Sequence, residues 1–141
     1  MFRPGPAPCT GMCRSAFGNF HVTADGKKSL TDTLKQLGEY FKGRRRRFSV
    51  PLKIRGTDFQ KKVWRELVRI SYGRTASYKE IAARVGRPRA WRAVAGAVAA
   101  NKILVLIPCH RVIRSNQSLG GYAAGPRRKR LLLGLEKSNV L

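Results

Sequence analysis

The chain has 141 residues, enough for one compact domain or a domain with a small appendage, and its 43% hydrophobic content excludes wholesale disorder. Its 30 lysine and arginine residues against 7 acidic ones give a net charge of +23, which favours a polyanionic partner, nucleic acid before an anionic membrane. Three cysteines without paired spacing exclude a disulfide framework, and without a membrane-length apolar run or a signal-peptide core we expect an intracellular, soluble protein.

The positive charge is spread over the whole chain. Residues 1–57 carry 12 basic and 3 acidic residues, and residues 58–141 carry 18 and 4, so no single tail accounts for the excess. The densest run, Arg44–Arg47, is typical of a solvated face or a linker, unless it lies near a nucleic-acid surface. A merely soluble surface is the alternative to a nucleic-acid partner, and a charge this large favours the partner.

Residues 1–52 predict a short αβ segment behind a leader rich in Pro, Gly and Cys. Residues 15–24 alternate loosely, as in a strand, and the Asp25-Gly26 turn signal follows. A helix is expected over residues 31–42, with Thr31 as its N-cap. Its apolar positions are Leu34, Leu37, Tyr40 and Phe41.

Residues 53–141 predict a mostly helical domain. Thr57 or Asp58 caps a first helix and Ser77 caps a second, and an apolar stripe at helical spacing runs along each. The stripes are Phe59, Val63, Leu67 and Ile70 in the first helix, and Tyr78, Ile81, Ala82 and Val85 in the second.

A third helix is expected from about Arg89 to Ala100, with Pro88 well placed at the first helical position. Its core-facing stripe is Trp91, Val94, Ala95 and Val98. Two short helices joined by the tight turn Gly86-Arg87-Pro88 suggest a helix-turn-helix, although many small helical bundles share this pattern.

The opposite face of the third helix consists of the smallest residues. They recur at helical spacing as Ala93, Gly96, Ala97 and Ala100, flanked by Arg87, Arg89 and Arg92. In a soluble core such a face usually packs against another helix. In a basic protein the same face fits the minor groove of DNA, which is only about 6 Å wide and admits a helix with small side chains.

The remaining chain carries a short apolar run, a cysteine motif and a last helix. Ile103–Ile107 predicts a buried strand, and residues 114–125 predict a glycine-containing loop. Pro126 opens the last helix, in which we expect three leucines to face the core. They are Leu131, Leu132 and Leu135. The basic cluster Arg127–Arg130 in its first turn opposes the helix dipole, which suggests an anion-binding role.

Cys109 and His110 are the candidate chemical groups. A thiol is nucleophilic as the thiolate, and an imidazole held by a carboxylate can accept its proton. Adjacent residues in an extended segment point in opposite directions, so transfer through a water is the alternative to direct contact. Glu136 is the candidate carboxylate, although a surface pairing with Lys137 or Arg130 is also open. On composition alone a buried cysteine is more often inert than catalytic, and the spacing leaves the two interpretations about even.

The segment Pro108-Cys109-His110-Arg111-Val112, preceded by an apolar run and Asn101, resembles the signature of the O6-alkylguanine-DNA alkyltransferases. Other landmarks of that family follow in order over about residues 48–137. They are Gly56-Thr57-x-Phe59-Gln60-x-x-Val63-Trp64, Tyr72-Gly73, Ser77-Tyr78, Arg92-Ala93-Val94, Gly121-Tyr122 and the leucine-rich helix with Glu136. The resemblance implies an α/β (α+β) fold, with a helix-turn-helix, winged-helix-like C-terminal domain after an abbreviated N-terminal segment.

The resemblance also implies the chemistry. Cys109 is the expected alkyl acceptor, His110 takes its proton through a water, and Glu136 orients His110. Tyr78 faces the target base and donates a proton or hydrogen bond as guanine leaves. Because the product is a thioether, the expected reaction consumes the protein in a single turnover, and no metal or organic cofactor is expected.

Further roles follow for the residues around the thiol. Arg92 is expected to fill the gap left by the flipped nucleotide, and Asn101 to brace the turn before the active-site loop. Backbone groups of Cys109 and Val112 are expected to read the guanine edge, and Tyr122 to wall the pocket. The expected partner is double-stranded DNA containing O6-alkylguanine, bound by a monomer in the cytoplasm, or in the nucleus if the source is eukaryotic.

The chain departs from the family pattern at several positions. Ala123 stands where a serine can hydrogen-bond the leaving oxygen, which puts one contact to the substrate in doubt. Smaller departures are Ser71 and Lys102, each in place of a proline, and Val98, in place of a methionine. Some relatives hold zinc in the N-terminal domain. Cys9, Cys13 and His21 lack a clear fourth ligand, so incidental thiols are the preferred interpretation.

Two other functions stay open at this point. One is an alkyltransferase-like module that recognises lesions without transfer, although such modules lack the acceptor cysteine that is present here as Cys109. The other is a helix-turn-helix regulator with a redox cysteine. Such a regulator has no need of Tyr78, Arg92 and Tyr122, and its reading helix carries longer polar side chains than Ala93 and Gly96.

Overall fold

The chain divides into two units, one ending at Arg55 and one beginning at Gly56. The computed structural model describes residues 21–22 and 26–140, and five α-helices and four two-residue strands lie within those ranges. The domain boundary expected after residue 52 stays a prediction. Across the described residues, no helix combines the length and apolarity needed to cross a membrane.

The first unit contains one long helix and a strand pair. Strand β1 is His21–Val22, helix α1 is Gly26–Phe41 and strand β2 is Leu52–Lys53, which runs antiparallel to β1. The expected N-cap at Thr31 is wrong, because α1 already begins at Gly26 and Thr31 lies inside it. The residues before Leu30 are polar and give no hydrophobic periodicity, so the sequence pattern places the start of this helix too late in the chain. The rest of the strand expected over 15–24 lies outside the described residues.

The apolar face of α1 is only partly buried. Tyr40 is fully buried and its ring centre lies 5.4 Å from that of Phe48, whereas Leu34 and Phe41 are 60% and 53% exposed. The apolar spacing of this helix therefore does not correspond to a fully buried stripe. Buried Gln36 takes part instead, accepting a 2.9 Å hydrogen bond from the backbone N–H of Ser49.

The second unit begins with three helices. Helix α2 is Asp58–Val68, helix α3 is Tyr78–Arg84 and helix α4 is Trp91–Ala99. Thr57 and Ser77 are the N-caps of α2 and α3, as the sequence predicts, and each forms a capping box with the residue three positions on, Gln60 and Glu80. Because these contacts are local, both helix starts are set by sequence alone.

The helices pack through the stripes that the sequence predicts. The buried members are Val63, Leu67, Ile70, Ile81, Ala82, Val94 and Val98. Trp64 ties α2 to α4, because its indole N–H donates a 2.8 Å hydrogen bond to the carbonyl of Ala97. Helix α4 begins later than expected, with Ala90 as N-cap, so Pro88 lies in the preceding turn and not at the first helical position.

The strand expected over Ile103–Ile107 is wrong. The segment forms a compact turn with an isolated bridge between Leu104 and Ile107, and Val105 has a φ of 70°. Positive φ is unfavourable for a β-branched residue, so this turn must be held by its surroundings. Five apolar residues in a row do not distinguish a strand from a buried turn.

A small parallel sheet and a last helix complete the second unit. Strand β3 is Ala76–Ser77, and it pairs with strand β4, Val112–Ile113. Between the turn and β4, Cys109–Arg111 form a 3-10 helix, not the extended segment expected. Helix α5 is Pro126–Ser138, with Pro126 in its first turn as the sequence predicts.

The leucines of α5 divide between core and solvent. Leu132 is buried and Leu135 is half-buried, but Leu131 is 70% exposed, so its expected core role is wrong. The core-facing polar positions of this helix, Lys129 and Glu136, are fully buried. Helix α5 therefore presents two charged side chains to the interior of the unit.

Candidate active site

A cavity of about 810 Å³ opens in the second unit, and Cys109 lies in its wall. Its lining includes three other groups singled out in the sequence, namely Tyr78, Tyr122 and Ala123. Further lining residues are Lys79, Trp91, Ala95, Val98, Ala99, Arg114, Ser115, Asn116 and Gly121. The volume lies within the usual range for small-molecule sites, so the cavity is large enough for an extruded nucleobase.

Cys109 is a free, buried thiol, with 3% of its surface exposed. Burial raises the pKa of this thiol, because the thiolate is poorly solvated there, while a hydrogen bond from Asn101 and the charge of Lys129 act in the opposite direction. The raised pKa keeps the resting thiol protonated. A nucleophilic reaction at this sulfur therefore requires a group that removes the proton.

His110 and Glu136 form the pair expected from the sequence. His110 Nε2 and Glu136 Oε1 lie 2.7 Å apart, and both side chains are fully buried. Burial lowers the pKa of His110 despite the opposing effect of Glu136, so the imidazole is neutral and can accept a proton. The alternative surface role of Glu136 is wrong, since the side chain has no exposure.

Arg111 is a residue that the sequence reasoning missed. Its guanidinium binds Glu136 through three hydrogen bonds, Nη2 to Oε1 at 2.8 Å, Nε to Oε2 at 2.9 Å and Nε to Oε1 at 3.1 Å. A fourth, at 2.6 Å, goes from Nη1 to the carbonyl of Ile70. Burial alone raises the pKa of Glu136, but the hydrogen bonds from His110 and Arg111 outweigh it and lower the pKa to about 2. Arg111 thus neutralises Glu136 and leaves His110 free to stay uncharged.

The turn at Gly73 is also part of this network. The Gly73 N–H donates to Glu136 Oε2 at 3.1 Å, and Gly73 has a φ of +76° and contacts Val140 so closely that a Cβ would overlap with it. A buried carboxylate needs a counter-charge and further donors. That requirement is the signal by which Arg111, the cation next to His110 in the motif, could have been found.

Asn101 braces the turn that leads to the thiol. Its side-chain oxygen accepts a 2.9 Å hydrogen bond from the Ile103 N–H, and its Nδ2 donates to the Ile107 carbonyl at 3.1 Å. These two bonds hold both ends of the compact turn, which explains how the strained Val105 backbone persists. Since Pro108 and Cys109 follow directly, Asn101 fixes where the sulfur lies.

Lys129 is a second residue that the sequence reasoning missed. It is fully buried, and its ammonium group donates to the carbonyls of Val112 at 2.5 Å and Gly121 at 3.1 Å. Burial lowers the pKa of Lys129 to about 8. The anion-binding role expected for the cluster Arg127–Arg130 is therefore wrong for Lys129, which holds two carbonyls together.

Val112 is fully buried and outside the cavity lining, and its carbonyl accepts the bond from Lys129. A backbone carbonyl has a second lone pair, so this contact leaves the carbonyl able to accept a further hydrogen bond. The expectation that the Val112 backbone reads the guanine edge stays a prediction.

Tyr78 and Tyr122 both line the cavity. Burial raises the pKa of Tyr78, with the charge of Arg114 acting against it, and burial raises the pKa of Tyr122 to about 12. Both hydroxyls therefore carry their protons near neutral pH. A Cβ at Gly120, where φ is +70°, would lie 3.0 Å from Tyr78 Oη, so only glycine lets the loop approach this hydroxyl so closely.

Helix α4 presents the exposed small face expected from the sequence, except at one position. Ala93 and Gly96 are exposed and Ala100 is partly exposed, whereas Ala97 is 3% exposed. Placing Ala97 on that face is wrong, because it packs into the core beneath Trp64. The flanking arginines are exposed, and they are Arg87, Arg89 and Arg92. This basic edge beside small side chains is suited to the backbone of a nucleic acid.

The structure brings no cluster of three or more His, Cys, Asp or Glu side chains together within its described residues. The metal set weighed in the sequence, Cys9, Cys13 and His21, lies outside those residues or, for His21, has a side chain that the structure does not describe. The interpretation of Cys9 and Cys13 as incidental thiols, and not as metal ligands, stays a prediction.

Comparison with known proteins places these features in a family. Residues 58–138 match the family model described as "6-O-methylguanine DNA methyltransferase, DNA binding domain". A methylated-DNA--protein-cysteine methyltransferase of Methanosarcina barkeri is 48% identical over 116 residues, which are 82% of this chain and 73% of that protein. One of Mycobacterium bovis is 49% identical over 120 residues, 85% of this chain and 72% of that protein.

This chain is also similar to a solved structure, both in fold and in sequence. The crystal structure of Mycobacterium tuberculosis OGT in complex with DNA superposes with a TM-score of 0.76 and 50% sequence identity. The match covers 77% of this chain and 68% of that one. The similarity therefore extends over most of both chains.

Proposed function

The chain belongs to the 6-O-methylguanine DNA methyltransferase family, and from this premise we propose that it repairs DNA by moving the alkyl group of O6-alkylguanine onto Cys109. One observation carries the assignment to this sulfur. Cys109 lies in the wall of a base-sized cavity shared with Tyr78, and the next residue in the chain, His110, is buried and paired with Glu136. Double-stranded DNA containing the lesion is the partner, and O6-methylguanine is the chief substrate.

DNA binding precedes the chemistry. The small exposed residues of α4, Ala93 and Gly96, let the helix approach the minor groove, and Arg87 and Arg89 pair with phosphates. An alkyl carbon on guanine O6 is out of reach inside a duplex, so the nucleotide must be extruded into the cavity. Arg92, exposed at the start of α4, fills the gap with its flat guanidinium.

Transfer is a single displacement. The Cys109 proton passes through a water to His110, and the charge that develops there is balanced by Glu136. Sulfur attacks the alkyl carbon, the S–C bond forms, and the C–O6 bond breaks with its electron pair moving to the base. Tyr78 protonates the departing guanine, so the base leaves neutral, and the proton on His110 returns to Tyr78 through solvent.

The remaining proposals concern the residues around the thiol and the number of times that each molecule reacts. Asn101 positions the thiol, the backbones of Cys109 and Val112 bind the guanine edge, and Tyr122 walls the cavity. Ala123 offers the leaving oxygen no hydroxyl, so we propose slower transfer than from a site with serine there. A thioether is not reversed by ordinary reductants, so each molecule reacts once, as a monomer, in the cytoplasm or the nucleus of its source.

Mass spectrometry of the peptide that contains Cys109 tests the proposal. We expect a gain of one methylene on Cys109 after incubation with a duplex oligonucleotide containing O6-methylguanine, and no gain in Cys109→Ala. Lesion binding without any mass change would instead identify a recognition module that does not transfer. Binding that prefers one sequence and ignores the lesion would indicate a regulator.

A further inference from the structure

Trp91, the first residue of α4, is a large aromatic side chain that the steps above do not use. The sequence places it in the core-facing stripe, but 36% of its surface is exposed. Trp64, by contrast, is 3% exposed and its indole N–H bonds to the Ala97 carbonyl. The two tryptophans of the chain thus have different environments, and only Trp64 is a core residue.

Two contacts distinguish Trp91 from an incidental surface residue. Its side chain lines the same cavity as Cys109 and Tyr78. The Cζ atom of Arg92 lies 4.6 Å from the centre of the Trp91 ring, within the range of a cation–π contact. One aromatic ring therefore touches both the space that receives the base and the side chain that replaces the base in the duplex.

We propose that Trp91 is a stacking platform for the extruded nucleotide. In the free protein its ring holds the Arg92 guanidinium, and after Arg92 moves into the base stack the ring packs against the O6-alkylguanine. The inference rests on the proposed function, because its ligand is the extruded base. It adds to that function a coupling between two steps, the insertion of Arg92 and the capture of the base.

The physical argument follows from what each partner offers the ring. A cation–π contact at an exposed site is weak, so Arg92 can leave Trp91 for the duplex without a large cost. A purine presents a flat π-face, and stacking on an aromatic side chain tolerates any base. In this proposal the guanidinium and the purine use the same face of the ring, so departure of one favours arrival of the other.

Substitution of Trp91 tests the platform. In single-turnover assays we expect Trp91→Ala to raise the concentration for half-maximal transfer about tenfold, and Trp91→Phe to raise it much less. Two probes are used, a duplex containing O6-methylguanine and the free base O6-benzylguanine. The free base needs no arginine insertion, so a loss with that probe isolates the contact between ring and base. Leu131→Ala, an exposed apolar residue outside the cavity, is the matched control and leaves both values unchanged.

Fluorescence supplies a readout that a purely structural role would not move. In Cys109→Ala protein, which cannot react, lesion-containing DNA is expected to quench the Trp91 emission. The same titration of Cys109→Ala, Trp91→Phe protein reports Trp64 alone and is expected to stay flat. This measurement remains decisive even where Trp91→Ala fails to fold.

Two results would refute the proposal that Trp91 is a stacking platform. One is equal half-saturation for the original chain and Trp91→Ala with both probes, and the other is an equal emission change with and without Trp91. Absence of any alkyl transfer by the original chain is a different failure, which refutes the proposed function. The fluorescence titration still separates the two, because it requires binding of the lesion but no reaction.

Discussion

Arg111 and Glu136 form a buried ion pair with two parallel hydrogen bonds, 2.8 and 2.9 Å long, in which Glu136 has no exposed surface. The same carboxylate holds His110, so the charge that supports the proposed proton acceptor is itself held by Arg111. The pair joins the 3-10 helix that begins at Cys109 to helix α5. Stability and chemistry in this protein therefore depend on the same side chains.

Removing Arg111 is expected to destabilise the fold severely. Arg111→Met leaves Glu136 as an uncompensated buried charge, which costs about 3–5 kcal/mol of unfolding free energy. Urea denaturation followed by circular dichroism measures this change. The matched control is Arg69→Met, which breaks the exposed pair with Glu66 and should cost at most about 1 kcal/mol. If both variants lost the same free energy of unfolding, the buried pair would contribute no more to stability than the exposed pair.

Acid is expected to unfold the protein through His110 and Glu136. Both have pKa values that are lowered in the folded state, so the unfolded chain binds more protons and stability falls as the pH falls. The loss begins below pH 6.5, where unfolded His110 takes up a proton, and the Glu136 contribution, on the order of 3 kcal/mol, is lost between pH 4.5 and about 2.

Unfolding free energies measured from pH 8 to pH 3 check this dependence. Glu136→Gln should have a lower free energy at pH 7 and a shallower slope below pH 4.5, because the group that titrates there is gone. A slope as steep as that of the original chain would assign acid unfolding to other carboxylates.

Lys129 is expected to contribute more to stability and to the transfer rate than any other basic residue of the cluster Arg127–Arg130. Lys129→Met leaves the Val112 and Gly121 carbonyls without their donor, which costs about 1–3 kcal/mol, and it frees the cavity loop from β4, so transfer to Cys109 slows. Arg130→Met, an exposed neighbour on α5, is the control for charge. Thermal unfolding and single-turnover rates are the measurements, and similar values for both variants would contradict the assignment.

Gly120 is expected to set the position of Tyr78. In Gly120→Ala the new methyl group would lie 3.0 Å from Tyr78 Oη, and the φ of +70° adds strain of about 1–2 kcal/mol. Displacing the hydroxyl should slow transfer at least tenfold at saturating DNA. Gly121→Ala is the matched control, because a Cβ there meets nothing within 4 Å and its φ is not positive. Rates that change equally in both variants would show a general effect of loop rigidity.

The sequence is sufficient to predict the structure where that structure depends on contacts between residues close together in the chain. The capping boxes at Thr57 and Ser77 and the apolar stripe of α2 depend on residues up to four apart, and all three were predictable. The residues alone made Glu136 a candidate partner for His110 but left a surface pairing open, and the resemblance to a family favoured the contact across 26 positions of chain.

Contacts between distant residues account for what the sequence did not predict. Arg111 and Lys129 look like other basic residues in a chain with 30 of them, and the fold shows that both are buried. Ile103–Ile107 has the composition of a strand, but the two Asn101 hydrogen bonds make it a turn. Trp91 has the spacing of a core residue, yet α4 begins at this residue, and its side chain is 36% exposed and lines the cavity.

The burial of Cys109 has a consequence for the lifetime of the protein before it meets damage. A reagent that reacts only once loses its value if peroxide or a free alkylating agent consumes it first. Both attack the thiolate, and oxidation follows thiolate character and exposure. With 3% exposure and a raised pKa, Cys109 is shielded from both until, in the proposed reaction, a base in the cavity and His110 together make it reactive. The same burial that makes the chemistry demanding preserves the pool of unreacted molecules.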